Sequence, residues 1–416
     1  MRRSSATACF SCAAWFLAAS VFIQANDWPQ WRGPNRDGIS ADTGLLKKWP
    51  SGGPPLSWKT TGLGAGFSGV SVAKGKIFTM GDGPDSSFVH ALNERDGKLF
   101  WSAKVGRPGD PGGYPGPRAT PTVDGDLVLA LGQFGDLVCL ETASGREKWR
   151  KSLTKDFGGK LMSGWGYSES PLVDGDKVIC TPGGSRGTVL ALNKTTGEVV
   201  WRSQALTDAG AYASLVPAEF GGRKQYVVLT DASVAGLAAE NGDLLWRGPR
   251  RGSTAVVATP IFHDGFAYVT SSYGTGCHAF KITPSDNAFS ATQVYANRTM
   301  ANHHGGVVRL GDFVYGHSEG KGWVCQNLKT GEMVWSDKSL GKGAIACADG
   351  LLYLRSESGK GTVALAQATP SGYKENSRFD QPNRSNHNSW PHPVIANGRL
   401  YLRDQDILLA YDIAAR

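Results

Sequence analysis

Five stretches of this chain share one frame: ALNERDGKLFW ending at Trp101, CLETASGREKW at Trp149, ALNKTTGEVVW at Trp201, GLAAENGDLLW at Trp246 and CQNLKTGEMVW at Trp335. In each, the glycine stands six residues after the first residue and four before the tryptophan. Two degenerate copies, from Ala279 to Tyr295 and from Ala364 to Phe379, carry another aromatic at the tryptophan position. Ahead of every copy lies a second signature: a short apolar run, an Asp-Gly-like or Asn-Gly-like turn, and another apolar run. ATPTVDGDLVLALG from Ala119, SPLVDGDKVICTPG from Ser170, ATPIFHDGFAYVTS from Ala258 and HPVIANGRLYLR from His392 are the clearest. This is a hairpin signal. It occurs eight times, followed each time by a third strand and in seven cases by a glycine turn and a fourth. Four strands at a period of about 40–50 residues make a propeller blade. The eighth unit reaches Ala410-Tyr411-Asp412 and stops, while PPLSW, Pro54 to Trp58, has the spacing of the missing half. The expected fold is therefore an all-β, eight-bladed propeller of four-stranded blades. The N-terminal strand is expected to close its last blade, pairing what would otherwise be open edges.

The repeat also states what each position needs. The first residue is Ala, Gly or Cys, a place for a small side chain. The glycine permits a turn at positive φ. The tryptophan is flat enough to pack between blades, and its N–H needs an acceptor once buried. Cys139 and Cys325 occupy the small position in two copies, where they read as buried filler. Cys139, Cys180, Cys277, Cys325 and Cys347 are odd in number and never CxxC-spaced, so no disulfide framework is indicated.

Outside the repeats, residues 1–25 read as an export signal, with Arg2 and Arg3 ahead of an apolar stretch from Ala8 to Ile23 and a cleavage point near Ala25. The stretch is interrupted by Ser and Cys and is shorter than the roughly 20 residues of a membrane span. A periplasmic or secreted protein is expected rather than an integral membrane one. Residues 26–53 are expected to form an extension packed on the ring through Trp28, Trp31 and Trp49, with the propeller proper at 54–416. The net charge of +8 falls to +6 without Arg2 and Arg3. No basic run or basic-aromatic comb accompanies it, which argues against nucleic acid.

The Ala-Leu-Asn, Gly, Trp frame resembles the tryptophan-docking repeat of propellers of the pyrroloquinoline quinone (PQQ) type. DWPQWRGPNRDGIS, Asp27 to Ser40, and PGPRATPTVDGD, Pro115 to Asp126, resemble segments of secreted bacterial members. The resemblance implies the fold, and two functions. Quinoprotein alcohol dehydrogenases hold PQQ and usually Ca²⁺ over the central funnel. Non-catalytic relatives, such as the outer-membrane-protein assembly lipoprotein, use the propeller as a binding platform. Dehydrogenase chemistry needs a cation on the quinone carbonyl, a carboxylate base and a flat support for the ring. Many such enzymes also carry an adjacent Cys-Cys disulfide. This chain has no Cys-Cys pair and no CxxCH haem motif, and its only Ca²⁺ candidate is Glu169 with an amide such as Asn302. The expected function is a non-catalytic binding or assembly platform, with a PQQ- and Ca²⁺-dependent alcohol or sugar dehydrogenase as the alternative. A carbohydrate-binding or lyase-like propeller is the third reading.

A ligand in a propeller meets the loops that precede each blade's first strand. Here those loops carry Phe67, Tyr114, Arg118, Trp165, Glu169, Tyr212, Asn302, His303, His304, Lys342, Trp390 and His392. Aromatic faces, cations and hydrogen-bonding groups together suit a protein partner or a small polar ligand or glycan. Arg118 reads either as an anion site or as the counter-charge of Glu169. The pair His303-His304 suggests a metal, but adjacent residues of a strand point to opposite faces. Trp165 and Trp390 read either as stacking platforms or as caps on their loops, and Tyr114 as an anchor of its Gly/Pro-rich loop.

Overall fold

A computed structural model describes residues 26–285 and 288–415. The export signal expected at 1–25 lies outside the described residues. Eight four-stranded antiparallel sheets follow one another around a ring. Blade 1 spans residues 71–106, blade 2 122–152, blade 3 172–202, blade 4 216–249, blade 5 261–297, blade 6 307–337 and blade 7 343–379. Blade 8 combines three strands in 394–412 with Leu56–Thr60, whose Trp58 pairs with Ala410. The first strands of neighbouring blades touch and form the inner wall. Among the described residues the single helical element is a short 3₁₀ turn, Pro111–Gly113, and no helix is long and apolar enough to cross a membrane.

The repeat is the joint between blades. The indole N–H of Trp149 in blade 2 donates to Lys194 O in the turn of blade 3 (3.0 Å), and Trp101 reaches Thr142 O (3.2 Å). Trp58 donates to Glu94 O (3.1 Å), which ties blade 8 to blade 1 by the same device. Tyr295 replaces the tryptophan of blade 5 and donates its hydroxyl to Leu328 O (2.7 Å). The glycine of the receiving turn lies flat against the ring. At Gly197, φ is 74° and a Cβ would stand 2.9 Å from the Trp149 ring. Gly197→Ala therefore meets both a backbone and a packing penalty, and a loss of about 1–3 kcal/mol is expected. Gly175→Ala, also at positive φ but with open space around it, carries only the backbone part. Urea unfolding of the two variants separates the terms.

Two tryptophans depart from the pattern. Blade 5 lacks the docking turn, so Trp246 turns its N–H to Gln225 Oε1 (2.6 Å) in its own blade, over the bare Cα of Gly236. Trp201 packs on Gly242, yet its buried N–H has no partner. All five described cysteines are free and buried.

The extension does more than pack on the ring. Residues 27–42 run through the central channel. Trp28 exchanges backbone bonds with Val72 of blade 1 (both 2.8 Å), and Pro29 O accepts from Val123 N of blade 2 (2.8 Å). Trp31 Nε1 donates to Thr259 ahead of blade 5, Arg36 to Ser170 O ahead of blade 3, and Arg32 to Val307 O of blade 6. Ile39–Ser40 then adds a parallel fifth strand to the inner edge of blade 7, and Asp42 accepts from Gly398 N of blade 8. Trp49 leaves the channel to pack on Tyr353 and Phe379.

Candidate functional site

The loops before the first strands rise on one face and enclose a cavity of about 150 Å³. Its floor is Trp31 of the channel segment, so the channel is a closed cup. Around it stand Phe67, Tyr114, Trp165, Tyr212 and Trp390, with Arg118, His303 and His304 between them. Phe67 stacks on Trp390 at 4.2 Å, and Tyr114 and His304 lean on the same indole at 4.9 and 4.8 Å. Across the cup, Trp165 packs against Tyr212 at 6.0 Å. Among the described residues no carboxylate lines the cavity.

Eight of the twelve rim residues expected from the sequence face this space: Phe67, Tyr114, Arg118, Trp165, Tyr212, His303, His304 and Trp390. Lys342 stands behind His303, with its ammonium 3.0 Å from Nδ1 and 2.9 Å from the buried Glu357 carboxylate. Glu169, Asn302 and His392 are buried beneath the rim. Tyr273 and Trp31 also line the cavity, as do Ser168, Ser214, Ala255, Val257 and Pro391, and the sequence did not mark either aromatic as part of the site. Tyr273 sits in the hairpin between the second and third strands of blade 5, which emerges on the same face as the rim loops. Trp31 belongs to a segment whose path no repeat reveals.

Three sequence expectations are corrected by this geometry. Arg118 does not balance Glu169. Its guanidinium donates to Gly116 O (2.9 Å), Pro111 O (3.1 Å) and Tyr114 O (2.7 Å), because the Gly/Pro-rich loop curls around it. The charge near Glu169 is that of Arg36, from the channel segment. Burial raises the Glu169 carboxyl to about 7, against the Thr181 hydrogen bonds and Arg36. His303 and His304 do not point to opposite faces, because they precede the strand instead of lying in it. Their rings are 4.4 Å apart and both face the cup. Glu169 and Asn302 do not meet either. They precede different blades, Glu169 Oε1 accepts from Thr181 N, and Asn302 Nδ2 donates to Gly306 O and His317 O (both 3.0 Å). Among the described residues no group of three or more His, Cys, Asp or Glu is arranged to hold a metal. The donor set that Ca²⁺ requires, clustered oxygens, is thus not offered by these residues. A volume of about 150 Å³ accommodates a single ring such as benzene.

The histidines are neutral hydrogen-bonding groups. Burial, then His304 and Lys342, lower His303 to about 3. Burial, then Arg32, lower His392 to about 3. Burial likewise lowers His304. Its Nε2–H donates to Glu357, which burial pushes up but the His304 and Lys342 interactions bring below the usual carboxylate range. Beneath the cup, His392 donates from Nε2 to His304 O (3.0 Å), accepts from Arg32 at Nδ1 (3.2 Å) and packs on Trp31 at 4.6 Å.

A family model described as outer membrane protein assembly factor BamB matches residues 85–337, well over half of the chain. The chain is 29% identical over 163 residues to the serine/threonine-protein kinase AfsK of Streptomyces griseus, covering 38% of this chain and 19% of that one. It is 26% identical over 239 residues to the outer membrane protein assembly factor BamB of Xanthomonas campestris pv. campestris, covering 53% and 48%. The matches thus span less than half of either relative. Among solved structures, BamB from Moraxella catarrhalis superposes with a TM-score of 0.57 at 17% identity, covering 83% of this chain and 96% of that one, a likeness of fold.

Proposed function

Because the chain belongs to the family described as outer membrane protein assembly factor BamB, we propose that it is an extracytoplasmic propeller platform that binds without catalysing, with the aromatic cup as its working surface. The observation that carries this reading is the lining itself. Stacked rings and neutral histidines surround a closed-bottomed space that holds no carboxylate. Such a lining supplies contact area and orienting hydrogen bonds, and among the described residues it offers no carboxylate to act as the base toward an alcohol. By kinship with the assembly factors, the partner is a protein of the cell envelope. The dehydrogenase alternative would rely on Glu169 and Asn302, which lie buried beneath the rim ahead of different blades, each with one oxygen, Oε2 and Oδ1, left without a hydrogen-bond partner.

Two measurements test the proposal. Tagged protein in intact cells is expected in the extracytoplasmic fraction and, after crosslinking, to retain an envelope protein that the double variant Trp165→Ala/Trp390→Ala retains at least tenfold less, in line with aromatic anchors at hot spots. In parallel, PQQ and Ca²⁺ with an alcohol panel and a dye acceptor are expected to give no turnover above buffer. Dye reduction that needs both additives would overturn the reading, as would retention in the cytoplasm.

A further inference from the structure

Proton accounting around Tyr273 defines what the cup recognises. The Lys342 ammonium has only protons to give, so it donates to His303 Nδ1 and to Glu357. Neutral His303 must then carry its proton on Nε2, 2.5 Å from the Tyr273 hydroxyl. The tyrosine oxygen is the acceptor there, and its own O–H is left to point elsewhere. Tyr273 is 39% exposed, lines the cup and is held at φ 57°, a backbone setting unusual for a tyrosine. A hydroxyl that accepts from one neighbour becomes a stronger donor to the next.

Arg118 supplies the second element. It borders the same cavity, is gripped by three carbonyls, and has no ion-pair partner among the described residues. Its three contacts leave guanidinium N–H groups over, since the fork carries five. The cup therefore joins an outward O–H and a cation that has Asp82 near it but no direct ion pair to stacked rings around room for one ring.

We propose that the cup is a receptor site for a small six-membered-ring compound bearing a carboxylate, with Tyr273 and Arg118 taking the carboxylate and Trp390 and Tyr114 the ring. The proposal rests on the reading of the cup as a binding surface and narrows what it binds. Two chemistries share these features, an aromatic acid and a uronic acid, and both are separable from their neutral counterparts.

The test is calorimetric titration of the purified protein with benzoate, benzamide, glucuronate and glucose. One of the two acids is expected to bind at least tenfold more tightly than its neutral counterpart, and which one does so identifies the source. Tyr273→Phe, an exposed and shape-conserving change, is expected to weaken that acid about tenfold without weakening the neutral analogue, since it removes one hydrogen bond to a charged group. Lys342→Met is expected to weaken it as well, because His303 can then take its proton on Nδ1 and accept the Tyr273 O–H at Nε2, which withdraws that donor from the ligand. Equal binding of acid and neutral forms, no binding of either acid, or an unchanged Tyr273→Phe variant would overturn the proposal. If partner capture by the Trp165/Trp390 surface persists in that event, only the ligand class has failed.

Discussion

Replacing Arg32 by alanine is expected to lower the stability of the whole propeller by about 3–5 kcal/mol, the range for stripping one partner from a buried charged network. Arg32 is 4% exposed. Its guanidinium donates to His392 Nδ1, to Asp37 O (2.8 Å) and to Val307 O. The bare Cα atoms of Gly38 and Gly306 lie close enough that a Cβ on either would strike it. Alanine leaves three acceptors buried without a donor and a void at the centre of the ring. Arg32→Lys keeps the charge but not the planar fork, and is expected to fall between wild type and alanine. Urea midpoints at constant m-value read the effect. A loss below 1 kcal/mol for the alanine variant would mean that the channel segment sits in the ring without holding it.

Acidification is the second large effect. His392 and His90 are buried, and burial first, then a nearby arginine, lower them to about 3 and about 4. In the unfolded chain a histidine titrates near 6.5. Between those values the unfolded state binds more protons, so stability is full above about pH 6.5 and is lost as pH falls toward the folded value. At pH 5 each such histidine costs about 2 kcal/mol relative to neutral pH. Glu169 works the other way. Its folded value, about 7, lies above the unfolded one, so its contribution grows as pH falls through 7. His303, His317 and His278 are lowered as well, so the histidines outnumber the glutamate and the net change from pH 7.5 to 5 is a loss. His392→Asn is expected to flatten the decline by about 2 kcal/mol, and Glu169→Gln to steepen it. Comparing slopes within each variant removes the cost of the substitution itself. A His392→Asn slope equal to wild type would show that His392 is protonated in the folded state.

How much of this was written in the chain differs sharply between scaffold and site. Most joints repeat one demand: a small residue, a turn glycine and an aromatic side chain that reaches the next blade. Five full copies, two degenerate ones and a split eighth make that demand visible, down to the strand Leu56–Thr60 that completes blade 8. The rim loops repeat nothing. Their positions before the first strands were readable, so Tyr114, Trp165, Tyr212 and Trp390 were found. Which way a side chain turns at the top of an inner strand depends on local twist and on the neighbouring blade. Glu169 and Asn302 turned inward for that reason, and Arg118 was captured by its own loop. Tyr273 escaped because it comes from the second hairpin of a blade. Trp31 escaped because its place depends on contacts far away in sequence, such as Thr259.

The channel segment changes how the ring behaves as a mechanical object. In a propeller bound only edge to edge, each blade feels two neighbours, and stability is close to a sum of local terms. Here residues 27–42 act as the hub of a wheel, bonded to spokes in blades 1, 2, 6, 7 and 8 and to the loops ahead of blades 3 and 5. Loosening one spoke strains the hub, and the hub carries that strain to blades on the far side. The hub is also the first of these parts to be synthesised, while His392, one of its anchors, is among the last. Contacts that span more than 300 residues close late and slowly. The hub therefore cannot gain its full set of anchors, His392 among them, until the last blade has been made.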